Sequence, residues 1–72
     1  MSTLAWNCRG LGTPTAVCHL VDLVQQKSPD FLFLSEIKLG GQRMFNIRDR
    51  LGMHGIVVDA GGGLALLWKK GL

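Results

Sequence analysis

Two short apolar runs, Thr3-Leu4-Ala5-Trp6 and Phe31-Leu32-Phe33-Leu34, flank a segment of helical periodicity and constrain the fold more than any other feature. A strand, helix, strand order of this length predicts parallel strands joined by a crossover helix. Both strands then end on one side of the sheet, the side where open α/β sheets bind ligands. Asn7 follows the first run and Ser35-Glu36 follows the second, so Asn7 and Glu36 are expected to be neighbours. A carboxylate beside an amide is a plausible seat for Mg²⁺ and a phosphate.

The intervening helix is predicted to start at Thr13-Pro14, because a threonine oxygen accepts an orphan amide and proline tolerates the first helical position. It runs to about Lys27, with Val17, Leu20, Val21 and Val24 on one face, and Ser28-Pro29-Asp30 stops it. Phe31 to Leu34 is apolar without alternation, the pattern of a central strand covered on both faces. Gly40-Gly41 opens a second helix whose apolar face is Met44, Ile47 and Leu51, with Gly52 as its stop and Arg43, Arg48 and Arg50 outward. Ile56-Val57-Val58 and Leu64 to Trp68 read as two strands joined by the hairpin connection Asp59 to Gly63. The order is therefore β-α-β-α-β-β, an incomplete α/β unit whose final strand is expected to leave an unpaired edge.

At 72 residues the chain is at most one domain, and a chain of this size buries about 60% of the surface it exposes when unfolded. A hydrophobic content of 47% against 18% charged residues argues for a folded interior with a thin polar surface, as in part of a larger body. The net charge of +3 fits a polyanionic partner but does not single one out. Two cysteines, Cys8 and Cys18, form neither a disulfide framework nor a zinc site, which points to a reducing compartment. Without a secretory signal or a long apolar run, the expected location is intracellular, nuclear or cytoplasmic, and not membrane-spanning.

Several residue groups invite chemistry. The turn Asn7-Cys8-Arg9-Gly10-Leu11-Gly12 joins strand to helix as phosphate-cradling loops do, yet it lacks both the dinucleotide fingerprint and the Gly-Lys-Ser/Thr of a P-loop. On spacing alone the favoured account is an ordinary tight turn, with Asn7 and the glycines in unusual backbone angles. Glu36 reads either as a metal anchor or as a solvated loop residue paired with Lys38. His19 and His54 are expected on the surface. Cys18 is expected in the core, and Cys8, beside Arg9, is a thiol of lowered pKa without a partner base. Arg43, Arg48, Arg50, Lys69 and Lys70 form either a phosphate-binding face or a solvated one.

Three blocks then carry a resemblance: Leu4-Ala5-Trp6-Asn7-Cys8-Arg9-Gly10-Leu11-Gly12, Ser28-Pro29-Asp30-Phe31-Leu32-Phe33-Leu34-Ser35-Glu36, and Gly62-Gly63-Leu64-Ala65-Leu66-Leu67-Trp68. In this order they resemble the start of the endonuclease/exonuclease/phosphatase superfamily, in particular the apurinic-endonuclease-like domain of plant LINE-type (non-LTR) retrotransposons. The resemblance implies a deoxyribonuclease-like sandwich of two sheets flanked by helices, of which residues 1–72 are the amino-terminal part. It implies metal-dependent phosphodiester hydrolysis on DNA, with Mg²⁺ or Mn²⁺ as cofactor. Asn7 matches the asparagine that positions the phosphate, and Glu36 the metal-binding glutamate. A complete domain also brings a catalytic tyrosine, an Asp-x-Asn pair and a Ser-Asp-His cluster; this chain has no tyrosine and neither of the other motifs. The expectation is a fragment inactive alone, its partner the missing carboxy-terminal half. The alternatives are a small basic nucleic-acid-binding protein without catalysis and a remnant without function.

Overall fold

Thr13 starts the first helix as its chemistry predicts: its side-chain oxygen accepts from the Ala16 amide at 3.2 Å and Pro14 occupies the first turn. In the computed structural model, which describes residues 1–71, six elements follow one another. They are β1 (Thr3–Asn7), α1 (Pro14–Lys27), β2 (Phe31–Ser35), α2 (Gly41–Leu51), β3 (Gly55–Val58) and β4 (Leu64–Trp68). Helix α1 ends where the proline forbids continuation, with Ser28 left-handed and its amide donating to the Val24 carbonyl. Helix α2 stops at Gly52, whose φ of 72° turns its amide back onto the carbonyls of Arg48 and Asp49.

The strands form one mixed sheet in the order β1-β2-β4-β3. β1 and β2 are parallel, as the crossover requires, while β4 runs antiparallel to both β2 and β3. The edge therefore differs from the sequence expectation. β4 lies inside the sheet, and the exposed edges belong to β1 and β3.

One face of the sheet carries the core. Leu32, Leu34, Ala65 and Leu67 are buried there against Val17, Leu20 and Val24 of α1 and Met44 and Ile47 of α2. Leu11, Ile37, Leu39 and Met53 close its ends from the loops. Both helices share this face, so the fold is a two-layer α/β arrangement.

The other face corrects the expectation that Phe31 to Leu34 is covered twice. Phe33 is 40% exposed, and its neighbours Leu64, Leu66 and Val57 are exposed with it. Alternation along the strands puts these residues on the face opposite the helices, where no strand position carries a charge. The unbroken apolar run thus records two apolar faces, of which residues 1–71 cover one. Cys18 is also corrected: it is exposed on α1 rather than in the core.

Candidate functional site

The parallel pairing of β1 with β2 sets Asn7 opposite Ser35, the residue before Glu36. Beyond the strand ends the two loops stay zipped together. Cys8 donates to the Ser35 carbonyl at 2.9 Å, Gly10 to Glu36 at 2.7 Å and Leu11 to Ile37 at 2.9 Å. The expected juxtaposition of the Asn7 and Glu36 segments is present, held by backbone rather than side chains.

Asn7 Oδ1 accepts from the Arg9 amide at 3.2 Å, which folds the chain into an Asx turn. Arg9, Glu36 and Lys38 take φ values of 51°, 52° and 56°. A left-handed conformation costs a non-glycine residue about 1–2 kcal/mol, and such strain is concentrated here in two facing loops. Glu36 is exposed, and its carboxylate makes no hydrogen bond or ion pair among the described residues. The Glu36–Lys38 pairing considered from the sequence is not formed.

A third segment meets these loops. Ile37 donates to the Gly63 carbonyl at 3.2 Å and Lys38 to Gly62 at 3.0 Å, so the β3–β4 hairpin buttresses the Glu36 loop. Gly62 has a φ of 72°, and a Cβ there would stand 3.0 Å from the Leu39 carbonyl oxygen, so both conformation and space demand glycine. Sequence reasoning took the three glycines as a hairpin turn alone. Their signal for the second role was the triplet itself, one glycine more than the turn needs.

The charged residues fall into place around this centre. His19 is on the surface as expected, but it borders a hollow of about 470 Å³ together with Trp6, Asn7 and Arg9. His54 is exposed and lies away from these loops, where its amide donates to the Trp68 carbonyl. The expectation of an acidic Cys8 is reversed, because burial pushes its thiol up to about 11. A thiol held protonated at neutral pH is no nucleophile. Arg43 and Arg50 border a second pocket of about 320 Å³ against the start of α1, where Arg43 Nη2 donates to the Gly12 carbonyl at 3.4 Å.

Among the described residues no three His, Cys, Asp or Glu side chains converge. A free carboxylate on one of two joined loops still fits Mg²⁺, which typically takes one or two protein carboxylates and fills its shell with water and substrate phosphate. It does not fit a closed structural metal site.

The chain is a mixed α/β layer whose adjoining strand-end loops carry the Asn7 amide and a Glu36 carboxylate that is unpaired among the described residues. Residues 4–72 match the family model described as endonuclease/exonuclease/phosphatase family, and the chain belongs to that family. Its members are generally metal-dependent and generally act on nucleic acids. No curated protein matches the chain. No helix among the described residues is long and apolar enough to cross a membrane.

Proposed function

We propose that the chain is the amino-terminal part of a single metal-dependent endonuclease domain of retrotransposon (LINE) origin that hydrolyses phosphodiester bonds in DNA, and that it is inactive alone. The observation that carries this reading is the zipped pair of loops that brings the Asn7 and Glu36 segments together at the strand ends. In it the Asn7 side chain orients the scissile phosphate through its amide group, and the Glu36 carboxylate anchors the cation. When bound, Mg²⁺ polarises the phosphoryl oxygen and stabilises charge on the leaving oxygen. Origin from a retrotransposon rests on the three sequence blocks.

The lack of any tyrosine in the chain, and of any group of three His, Cys, Asp or Glu side chains among the described residues, supports inactivity. The partner this reading requires is the carboxy-terminal half of such a domain. The open apolar face of the sheet supports that requirement, because stacked sheets bury such faces against each other. The test is supercoiled plasmid incubated with the chain and Mg²⁺, for which no nicking is expected. Nicking that is lost in Glu36→Gln would overturn the claim of inactivity while upholding the site.

A second reading, a nucleic-acid-binding protein without catalysis, is favoured by Arg43 and Arg50 at the pocket beside α1, neither of which makes an ion pair among the described residues. DNA affinity falling steeply with salt is its expected signature.

A further inference from the structure

The outer edge of β1 carries a groove that runs from the Asn7-Cys8-Arg9 loop along α1, away from Glu36. Trp6 is 42% exposed there, although its alternation places it on the face that packs against helices. Two hollows meet at it. One, of about 470 Å³, is bordered by Asn7, Arg9 and His19; the other, of about 240 Å³, by Asp22, Leu23 and Gln26; Trp6 and His19 belong to both. The larger lies in the ~300–1,000 Å³ range of ligand clefts.

The groove is polar at both ends and has opposite signs. Arg9 stands at one end, Asp22 and Gln26 at the other, and Trp6 is shared by both hollows. We infer that the juxtaposition of Arg9, His19, Trp6 and Asp22 forms a site for one nucleotide unit of a single nucleic-acid strand. Its phosphate sits at Arg9 and His19, its base stacks on Trp6, and the amino edge of the base faces Asp22.

The polarity fixes this orientation. A phosphate at the Asp22 end would meet a carboxylate, whereas at Arg9 it meets a guanidinium with no ion pair among the described residues. A base at the other end finds an aromatic face for stacking and a carboxylate that accepts from an exocyclic amine. Cytosine, whose amine is such a donor, suits the Asp22 end. The site deepens the nucleic-acid reading above and rests on it for the choice of a strand, yet it needs neither Glu36 nor a metal.

The test is titration of the full chain with cytidine monophosphate in the absence of divalent cations, read by NMR from the Trp6 indole and His19 ring resonances. Saturable shifts of both are expected, and Trp6→Leu and Arg9→Gln should each weaken binding about fivefold or more. Lys27→Gln, an equal change of charge at the far end of α1, should leave it unchanged. Far-UV circular dichroism of each variant separates lost binding from lost folding. If Trp6→Leu does not fold, Asp22→Asn serves, expected to weaken cytidine monophosphate but not thymidine monophosphate. A single-stranded oligodeoxycytidylate should bind at least tenfold tighter than the mononucleotide; equal affinity overturns the assignment to a strand. Shifts produced equally by inorganic phosphate, or by cytidine without phosphate, overturn the two-ended site, as does no shift at all. Because the titration contains no metal, its failure leaves the plasmid result untouched, and failure of the plasmid result leaves it untouched in turn.

Discussion

The indole of Trp68 lies over Gly55, its register partner across the β3–β4 ladder. A Cβ at position 55 would overlap ring atoms Cε2 and Cζ2, so the glycine of an edge strand and the tryptophan of an inner one fit only as a pair. An aromatic ring folded over a strand glycine covers backbone that would otherwise be bare. Gly55→Ala must push the ring aside, and a loss of about 1–3 kcal/mol is expected, as for other overpacked sites. Urea unfolding gives the loss, and a red shift of tryptophan emission reports the displaced ring.

Two adjacent residues of β4 should differ sharply. Leu67 is fully buried under the helices, and Leu67→Ala should cost about 2–5 kcal/mol. Leu66 is 38% exposed on the open face, and Leu66→Thr should cost well under half as much. Chemical denaturation of both variants checks the ratio; equal losses would mean that the open face is covered in solution.

Glu36 is held in a left-handed conformation that glycine adopts freely. Glu36→Gly should therefore raise stability by about 0.5–1 kcal/mol, once the relief of strain is set against the added freedom of the unfolded chain. The same change removes the Glu36 carboxylate, which has no partner among the described residues. Calorimetric titration with Mg²⁺ should show weaker binding in the more stable protein, the pattern expected of strain kept for function.

Thr13 gives a cleaner local test. Thr13→Ala removes the oxygen that accepts from the Ala16 amide and should cost about 1 kcal/mol. Thr13→Ser should recover most of that loss in the same urea experiment.

Cys8 sets a limit on alkaline stability. Its thiol, raised from 9.0 to about 11 by burial, stays protonated in the folded chain at pH values where the unfolded chain loses the proton. Between those values the folded state holds more protons, so stability should fall as pH rises from about 9 to about 11. Below pH 9 the contribution is intact. Cys8→Ala should flatten that part of the profile, and at pH 8 alkylation should reach exposed Cys18 before half-buried Cys8.

Local signals carried far into this structure. Thr13-Pro14, Ser28-Pro29 and Gly52 mark helix boundaries by chemistry confined to a few residues, and the helices begin and end there. That Asn7 would adjoin the segment carrying Glu36 followed from parallel strands alone, and Asn7 pairs with Ser35, the residue before Glu36. Strand order was less legible, because a five-residue hairpin leaves either strand free to join β2. Burial failed at Phe33 because an apolar run states what a face prefers, not which partner supplies the cover. Cys18 was misplaced for a simpler reason: it follows Val17 and lies about 100° around the helix from it. The zipped loops involve main-chain groups, for which side-chain identity gives no signal beyond Asn7 and the glycines.

The position of β4 also bears on how the chain is made. Because β4 follows β3 in sequence yet fills the gap between β2 and β3, a growing chain has no continuous four-stranded sheet until Trp68 has been synthesised. Until then the edge of β2 that will receive β4 stands open beside unburied leucines, a state in which nascent chains stick to one another. Closure of this sheet thereby waits for Trp68 to emerge, and a chaperone that shields apolar strands would act before that point.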